Sequence, residues 1–482
     1  MKLIDRYNAF PLSVRASLWY IVCNFVQKGM SVITVPLFTR LLTKAEYGNL
    51  NVYNSWYTII SILVALGMAN GMHLQGLVKF SESRDSFTSA LQGLTLTLVA
   101  VWAALYFPLH VFWNGLLHLN TLQMCAMLLN IWTTAVFGLW ANTQRVEYRY
   151  RALLLVTIIC SVAKPVAEIF AVLHFEDRVT AKVIATALVE FASFGWLFIA
   201  QLRKGKQFIN AETWKYALAF CIPLLPHYLS QTLLNQADRI MIRDMLGEED
   251  AGIYGLAYSV SLVLSILVTA LGQSMSPWLY EKIKQKKEKD MEGVVYLLML
   301  LMAAFSLLLI LFAPEVIAVF APADYADGIS CIPPVTIGIY FTFCYSVYGK
   351  FAFYYEKKLA LAVSTAVCAG LNVLTNLIFI PLYGYAAAGY TTMVCYIIYS
   401  CFYFVIMRSI CRKECDGRQP FRTGILLLIQ GTFVLLGLVF SIFYGFWPAR
   451  YGIALLILLL LFLRRKPILA AVRTLRGGKE IQ

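Results

Sequence analysis

The sequence contains few charged residues. Asp, Glu, Lys and Arg make up 14% of its 482 residues, and 60% of the residues are hydrophobic, whereas soluble domains carry about a quarter charged residues. It also lacks a long polar stretch between its hydrophobic segments. These deficits exclude a soluble globular protein and indicate a polytopic membrane protein.

Acidic residues are scarcer than basic ones. The 26 Asp and Glu against 40 Lys and Arg give a formal net charge of +14, which in a soluble protein would suggest a nucleic-acid partner. Here the basic residues concentrate in alternate loops, for example 203–206 and 282–289, as the positive-inside rule expects of cytoplasmic loops. The charge therefore predicts membrane orientation, with both termini in the cytoplasm, and no nucleic-acid binding.

Motifs of nucleotide and metal chemistry are missing. The sequence has no P-loop, Rossmann fingerprint, His-Glu-x-x-His motif or nucleophile elbow. Its 11 cysteines lie mostly singly in apolar segments, and Cys411 and Cys415 have no second pair at metal-ligand spacing. We therefore predict no metal, no cofactor and no enzymatic activity.

About fourteen hydrophobic segments are long enough to cross a bilayer as helices. They lie near 17–39, 48–71, 87–108, 116–140, 152–174, 180–201, 214–237, 252–277, 293–320, 331–354, 359–382, 385–407, 423–444 and 447–464. The predicted fold class is an all-α polytopic membrane protein, and the even number of spans returns the C-terminus to the cytoplasm.

A weak internal repeat appears when Gly48 is aligned with Gly252. In both copies an acidic turn separates two hydrophobic spans. The alignment predicts two pseudo-symmetric six-helix lobes around a central cavity, 1–205 with spans 1–6 and 206–415 with spans 7–12. Residues 416–482 then add spans 13 and 14 and a basic tail. A coincidence between two interfacial loops is the alternative.

Spans 1 and 7 carry matching polar faces, with residues spaced by three and four. A lone Lys at the depth of Lys28 costs on the order of 2.5–3.5 kcal/mol in lipid, so it should face water or a partner. We predict that these faces line the cavity; the alternatives are interhelical hydrogen bonding and, for the Arg residues, snorkelling to the interface. The predicted substrate-binding residues are Asn24, Gln27, Lys28, Arg40, Gln231, Asn235, Asp238 and Arg239.

Other ionisable residues lie within the spans. Lys164 and Glu168 are four residues apart in span 5, so we predict a structural ion pair between them. Glu190 in span 6 and Asp238 at the end of span 7 are the candidates for coupling transport to an ion.

Three segments resemble the Wzx-type polysaccharide flippases of the multidrug/oligosaccharidyl-lipid/polysaccharide exporter superfamily. The resemblance covers nearly the whole chain. It rests on VPLFTRLL at 35–42 followed by EYG at 46–48, on NQADRIMI at 235–242 with AGIYGLA at 251–257, and on PLYGY at 381–385 with AAG at 387–389.

This resemblance implies two lobes around a cationic cavity and a substrate, undecaprenyl-pyrophosphate-linked oligosaccharide, that moves from the cytoplasmic to the outer leaflet of a bacterial inner membrane. Such a repeat unit would feed O-antigen, capsule or a related glycan, in a pathway with glycosyltransferases and a glycan polymerase as partners alongside membrane lipids. Relatives that flip the peptidoglycan precursor show several Arg in the first spans. Here span 1 offers Lys28 and span 2 no charge, which disfavours that substrate.

Two other functions remain open. An ion-coupled multidrug exporter of the same superfamily would use intramembrane carboxylates to exchange an ion for a cationic drug, and Lys28 argues against such a cargo. A membrane glycan polymerase or ligase would need a sizeable outer loop, and the predicted outer loops are short.

Overall fold

The computed structural model describes residues 12–475, in which no strand occurs. We number the long helices α1 to α14 and name the short helices Met72–Lys79, Ala313–Phe320 and Arg465–Leu475 by their bounds. The long helices are α1 Leu12–Leu41, α2 Lys44–Ala65, α3 Arg84–Leu117, α4 Thr121–Val146, α5 Tyr150–His174, α6 Arg178–Gly205, α7 Ala211–Leu246, α8 Glu248–Lys284, α9 Glu288–Leu311, α10 Ala323–Tyr354, α11 Leu359–Tyr383, α12 Ala386–Glu414, α13 Thr423–Gly445 and α14 Trp447–Leu463.

Every predicted span overlaps one of these helices. Eleven of the helices in the described part are long and apolar enough to cross a membrane, and Trp447–Leu463 is a shorter apolar helix. The predicted all-α polytopic fold is confirmed. The protein is a multi-pass membrane protein.

Several predicted boundaries are wrong. Span 7, placed at 214–237, ends at Leu246, and spans 2 and 9 have errors with a clear local cause. Span 2, placed at 48–71, begins at Lys44 because Thr43 and Glu46 form a capping box, and it ends at Ala65 because Leu66 adopts a left-handed conformation. Span 9, placed at 293–320, ends at Leu311, and a separate short helix follows.

The prolines of the spans fall into two groups. Pro108 and Pro223 lie in 3₁₀ turns that interrupt α3 and α7, whereas Pro36 and Pro165 lie inside α1 and α5. A proline removes one helical hydrogen bond and clashes with the preceding turn. The interruptions of α3 and α7 therefore each coincide with a proline, whereas α1 and α5 continue through theirs.

The chain divides into two compact units, Met1–Gln236 and Ala237–Gln482, so the division falls inside α7. In the first unit α6 packs extensively on α4 and α5, and in the second α12 packs in the same way on α10 and α11. This shared pattern supports a repeat of six spans. The lobe limits 1–205, 206–415 and 416–482 stay a prediction.

In the first unit, the segment that connects α6 to α7 is held against α3. Ser89 Oγ donates to the carbonyl of Gln207 at 2.6 Å, and Trp214 Nε1 donates to the carbonyl of Ala90 at 2.8 Å. A Cβ atom added at Gly93 would lie 1.9 Å from the carbonyl oxygen of Phe208. Only glycine allows this approach.

We therefore expect Gly93→Ala to lower the unfolding temperature in detergent, because either α3 or the connecting segment must move. The matched control is Gly370→Ala in α11, where nothing lies within 4 Å of the added Cβ. There alanine should stabilise the helix by about 0.5–1 kcal/mol. Equal shifts of the same sign in both variants would contradict the close approach.

In the second unit, α13 and α14 pack against α9. Arg450 of α14 is buried and forms two hydrogen bonds to Glu315 at 2.8 Å each, and a third to the carbonyl of Leu311 at 2.9 Å. Burial opposes the charge of Glu315, which lies outside the candidate spans. Hydrogen bonds from Arg450, the backbone and Tyr451 outweigh that effect and lower the pKa of Glu315. This contact fixes an appended helix to the unit.

The lowered pKa predicts a pH dependence of stability. A carboxyl with a depressed pKa in the folded state stabilises the protein above its ordinary value, and this contribution is lost as pH falls through the folded pKa. We expect Arg450→Ala to lower the unfolding temperature most at pH 7, with the difference from wild type shrinking toward pH 4. A difference that stays constant with pH would show that Arg450 acts through packing alone.

Candidate functional site

Part of the polar face of α1 is accessible at the surface of the protein. Gln27 is exposed and Lys28, near the middle of the helix, is half-buried, and nothing lies within 4 Å of a Cβ added at Gly29. The side chains of Asn24 and Ser31 lie outside the described residues. The part of the stripe that is described therefore borders open space at mid-depth.

Arg40 is exposed at the end of α1 and donates from Nη1 to the carbonyl of Pro36 at 2.8 Å. A basic side chain at a helix C-terminus satisfies a carbonyl that has no partner within the helix. This hydrogen bond gives Arg40 a structural role as a cap of α1. Its contact with substrate stays a prediction.

The predicted pair of Lys164 with Glu168 is corrected by the structure. Lys164 Nζ lies 2.8 Å from Glu190 Oε1, and Lys182 Nζ lies 2.9 Å from Glu168 Oε2. Both bridges join α5 to α6, since each helix offers one lysine and one glutamate with complementary spacing. Spacing within α5 alone could not reveal that α6 supplies the closer partners.

A chain of hydrogen bonds extends from the first bridge across the unit. Tyr57 donates to Thr134 Oγ1 at 3.1 Å, and Thr134 donates to Glu190 Oε2 at 3.0 Å. These residues lie near the middle of α2, α4 and α6. Thr134 and nearby Asn54 of α2 are exposed, and the Lys164 side chain is 36% exposed.

Exposed polar groups at this depth have a physical consequence. Lipid offers no partner for a hydroxyl, an amide or an ammonium group, and each unsatisfied group costs several kcal/mol. A face that carries Asn54, Thr134 and Lys164 in the middle of its helices is therefore suited to contact water. We call these three residues, with Tyr57 and Glu190, the mid-depth polar face.

The second unit holds a different polar cluster, centred on Asp238 of α7. This carboxylate is 1% exposed. It accepts hydrogen bonds from the Tyr254 hydroxyl at 2.7 Å, Asn376 Nδ2 at 2.7 Å and Thr392 Oγ1 at 2.8 Å. Thr391 donates to Asn376 Oδ1. Helices α7, α8, α11 and α12 thus converge on one carboxylate.

The two carboxylates predicted as coupling candidates have different surroundings. Glu190 is neutralised by the ammonium of Lys164 at 2.8 Å, whereas the hydrogen bonds to Asp238 come from neutral hydroxyl and amide groups. Among the described residues, no group of three or more His, Cys, Asp and Glu could hold a metal ion. A buried carboxylate with neutral donors is suited to gain or release a proton or a small cation.

The remaining residues of the α7 stripe are less accessible than predicted. Gln231 and Asn235 are half-buried, and Asn235 Nδ2 donates to the carbonyl of Gln231 at 2.6 Å. Arg239 is 7% exposed, and its guanidinium lies 4.1 Å from the ring centre of Tyr258. In this conformation Arg239 is a packed side chain rather than an open anion site.

Sequence reasoning missed most partners in both clusters. The sequence does not mark Tyr57 and Thr134 as site residues, because single Tyr and Thr residues are common in membrane helices. Asn372 and Asn376, four residues apart in the apolar α11, and the Thr391-Thr392 pair in α12 could have been noticed as a polar face.

Comparisons with known proteins identify the family of the chain. The family model described as "Polysaccharide biosynthesis protein" matches residues 13–282, more than half of the chain. The chain belongs to the polysaccharide biosynthesis protein family. A second model, MatE, matches residues 223–378. The resemblance to polysaccharide flippases of the multidrug/oligosaccharidyl-lipid/polysaccharide exporter superfamily is confirmed.

Relatives of this polysaccharide biosynthesis protein occur in Haemophilus influenzae. "Lsg locus putative protein 1" is 24% identical over 290 residues, covering 56% of this chain and 67% of the relative. An "Uncharacterized membrane protein" is 22% identical over 390 residues, covering 76% of this chain and 92% of the relative.

Solved structures share the fold of this family member. "Lipid II flippase MurJ" in an inward closed conformation superposes with a TM-score of 0.70 at 13% identity, covering 94% of this chain and 99% of that one. An inward-facing multidrug resistance MATE family transporter gives 0.66 at 13% identity, covering 80% and 96%. At this identity the likeness concerns the fold alone.

Proposed function

We propose that this protein flips an undecaprenyl-pyrophosphate-linked oligosaccharide, the repeat unit of O-antigen, capsule or a related glycan, from the cytoplasmic to the outer leaflet of a bacterial inner membrane. The mid-depth polar face is the observation that carries the proposal. Alternating access between the two sides would move the headgroup, and no covalent chemistry is required of the protein.

The chemistry of such a headgroup suits this face. Sugar hydroxyls donate and accept hydrogen bonds, and the face offers an amide, hydroxyls and a paired ammonium and carboxylate. The diphosphate is anionic, and Lys28 supplies an ammonium group at similar depth in α1. A hydrated glycan and a diphosphate cannot cross hydrocarbon without such a polar surface, because burying a charge in lipid is costly.

The basic loops give the proposed orientation. Both termini lie in the cytoplasm in this topology, which places the substrate-loading side next to the glycosyltransferases that build the repeat unit. A glycan polymerase would receive the product on the outer side.

Asp238 is the stronger of the two coupling candidates. An acid that binds and releases an ion during transport must be able to change charge, and Glu190 already has a close countercharge in the Lys164 ammonium, 2.8 Å away. The three hydrogen bonds to Asp238 come from neutral donors, and the neighbouring charge is the guanidinium of Arg239, the next residue, which lies over the Tyr258 ring.

A multidrug exporter of the same superfamily is the second candidate, favoured by the MatE match over residues 223–378. A cationic drug would meet the ammonium of Lys28 in the first unit, which disfavours it. A polymerase or ligase is disfavoured by the short connections on the outer side, for example residues 42–43 between α1 and α2 and residues 384–385 between α11 and α12.

The test begins with deletion of the gene. We expect undecaprenyl-linked repeat units to accumulate on the inner leaflet and the surface glycan to disappear. Lys28→Ala should reproduce the defect, with apparent affinity for the lipid-linked substrate reduced about 10- to 100-fold, since a hydrogen bond to a charged group contributes about 1.5–3 kcal/mol. Lys28→Arg should restore transport.

The matched control is Lys215→Ala, which removes an exposed lysine at the start of α7. It should leave transport unchanged. Normal surface glycan in both the deletion strain and the Lys28→Ala strain would refute the proposed function, and drug hypersensitivity without a glycan defect would favour the exporter.

A further inference from the structure

An apolar groove lies on the second unit between α11 and α12. Its volume is about 530 Å³, and its lining includes Leu371, Phe379, Val394 and Ile398. Tyr383 and Tyr390, which also line it, are 72% and 44% exposed. Both tyrosines flank the short turn between the two helices.

The two threonine hydroxyls in the groove wall are already used within the protein. Thr375 Oγ1 donates to the carbonyl of Leu371 at 2.8 Å, and Thr391 Oγ1 donates to Asn376 Oδ1. A hydrophilic ligand would therefore find few groups to bind. The lining suits a hydrocarbon chain, because such a chain gains from burying apolar surface and forms no hydrogen bonds.

The position of the groove points to the membrane as the source of its occupant. Leu374, Ile378 and Leu382 of α11 are each at least 50% exposed, so the helix presents an apolar surface toward lipid. Tyrosines at the helix ends are typical of the boundary between the hydrocarbon and the headgroups. A lipid can therefore enter from the side, with its headgroup near the α11–α12 turn.

The groove also borders the Asp238 cluster. Thr391 lines the groove and donates to Asn376, and Asn376 donates to Asp238 at 2.7 Å. A chain lodged against Thr391 therefore lies two hydrogen bonds from the carboxylate that is the stronger coupling candidate. A link to the coupling residue serves a lipid that is transported and not a bulk lipid. The hydrogen-bond chain through Thr391 and Asn376 therefore favours the substrate as the occupant of the groove.

We propose that this groove binds the isoprenoid tail of the lipid-linked substrate in the leaflet near the α11–α12 turn. This inference rests on the proposed function, because it assigns a place to one part of the same substrate. The branched, apolar tail remains in a lipid-facing groove while the headgroup follows a polar route.

Photo-crosslinking tests the proposal directly. The full-length protein carries benzoyl-phenylalanine at position 394 or, as the matched control, at position 377. Val394 lines the groove, whereas Leu377 of α11 has similar exposure, 51% against 47%, and lies outside the lining. The protein is reconstituted in phosphatidylethanolamine and phosphatidylglycerol vesicles that contain undecaprenyl phosphate, and adducts are identified by mass spectrometry.

We expect isoprenoid adducts at position 394 at least fivefold above those at position 377. Acyl-chain adducts alone at position 394, or equal isoprenoid adducts at both positions, would overturn the proposal. A second measurement compares Val394→Trp, which fills the groove, with Leu377→Trp. The first should reduce glycan export at least fivefold at unchanged unfolding temperature, and the second should not; equal export in the two variants counts against the proposal.

The two hypotheses fail separately. Isoprenoid adducts at position 394 in a protein whose deletion leaves surface glycan intact would retain the lipid site and refute the flippase. A glycan defect on deletion without isoprenoid adducts would retain the flippase and refute the site.

Discussion

Replacing Asp238 with asparagine is expected to abolish transport while leaving the protein folded. Asparagine has nearly the same shape, but it cannot exchange a proton or balance a cation. Asp238 has three hydrogen-bond donors, Tyr254, Asn376 and Thr392. The amide oxygen of asparagine can still accept from two of them, but its NH₂ group is itself a donor and cannot accept from the third. An unsatisfied buried group costs about 1–3 kcal/mol, so the unfolding temperature should fall without loss of the native state. Transport into vesicles under an imposed ion gradient is the measurement.

Tyr254→Phe is the control for this experiment. It removes one hydrogen bond to Asp238 at 2.7 Å and keeps the charge, so it should cost about 1.5–3 kcal/mol of stability and preserve transport. If Asp238→Asn transports like wild type, or if Tyr254→Phe is equally inactive, Asp238 is an anchor for four helices rather than the coupling residue.

Replacing Lys182 with alanine is expected to destabilise the first unit by about 3–5 kcal/mol, because it leaves the buried Glu168 carboxylate without a countercharge. The effect of Lys164→Ala should be smaller. The Lys164 side chain is 36% exposed and that of Lys182 11%, so water can partly replace the lost ammonium beside Glu190. Unfolding in detergent, followed for each variant, gives the ranking.

Double-mutant cycles test which pairs are coupled. Lys164→Ala with Glu190→Ala should show a coupling energy of about 0.5–3 kcal/mol, whereas Lys164→Ala with Glu168→Ala should be closer to additive. A larger coupling within α5 than between α5 and α6 would contradict the observed bridges.

The hydropathy of the sequence was sufficient to locate the helices. A span must bury about 20 apolar residues in the bilayer, and its backbone must satisfy its own hydrogen bonds. The length of each apolar run therefore predicts one helix, as for α10 and α12. Boundaries depend on local caps and turns: the capping box at Thr43 and the left-handed conformation of Leu66 set the ends of α2, and hydropathy reports neither.

The two clusters were only half predictable. The 3.6-residue period shows which residues share a face, so Gln27 and Lys28 on α1 and Asp238 on α7 could be identified as polar positions. The period says nothing about which helix lies opposite. That is why Lys164 was paired with Glu168 instead of Glu190.

The sequence by itself determined the positions of the apolar helices, the concentration of basic residues in particular loops and the residues that hydrocarbon cannot easily accommodate. These properties follow from the transfer of each segment between water and lipid, which depends on composition. Tertiary structure alone decided that α5 and α6 are joined by two salt bridges, Lys164 with Glu190 and Lys182 with Glu168, that four helices converge on Asp238, and that an apolar groove adjoins this cluster. Such contacts depend on how helices distant in sequence pack together, and no local pattern in the chain encodes them.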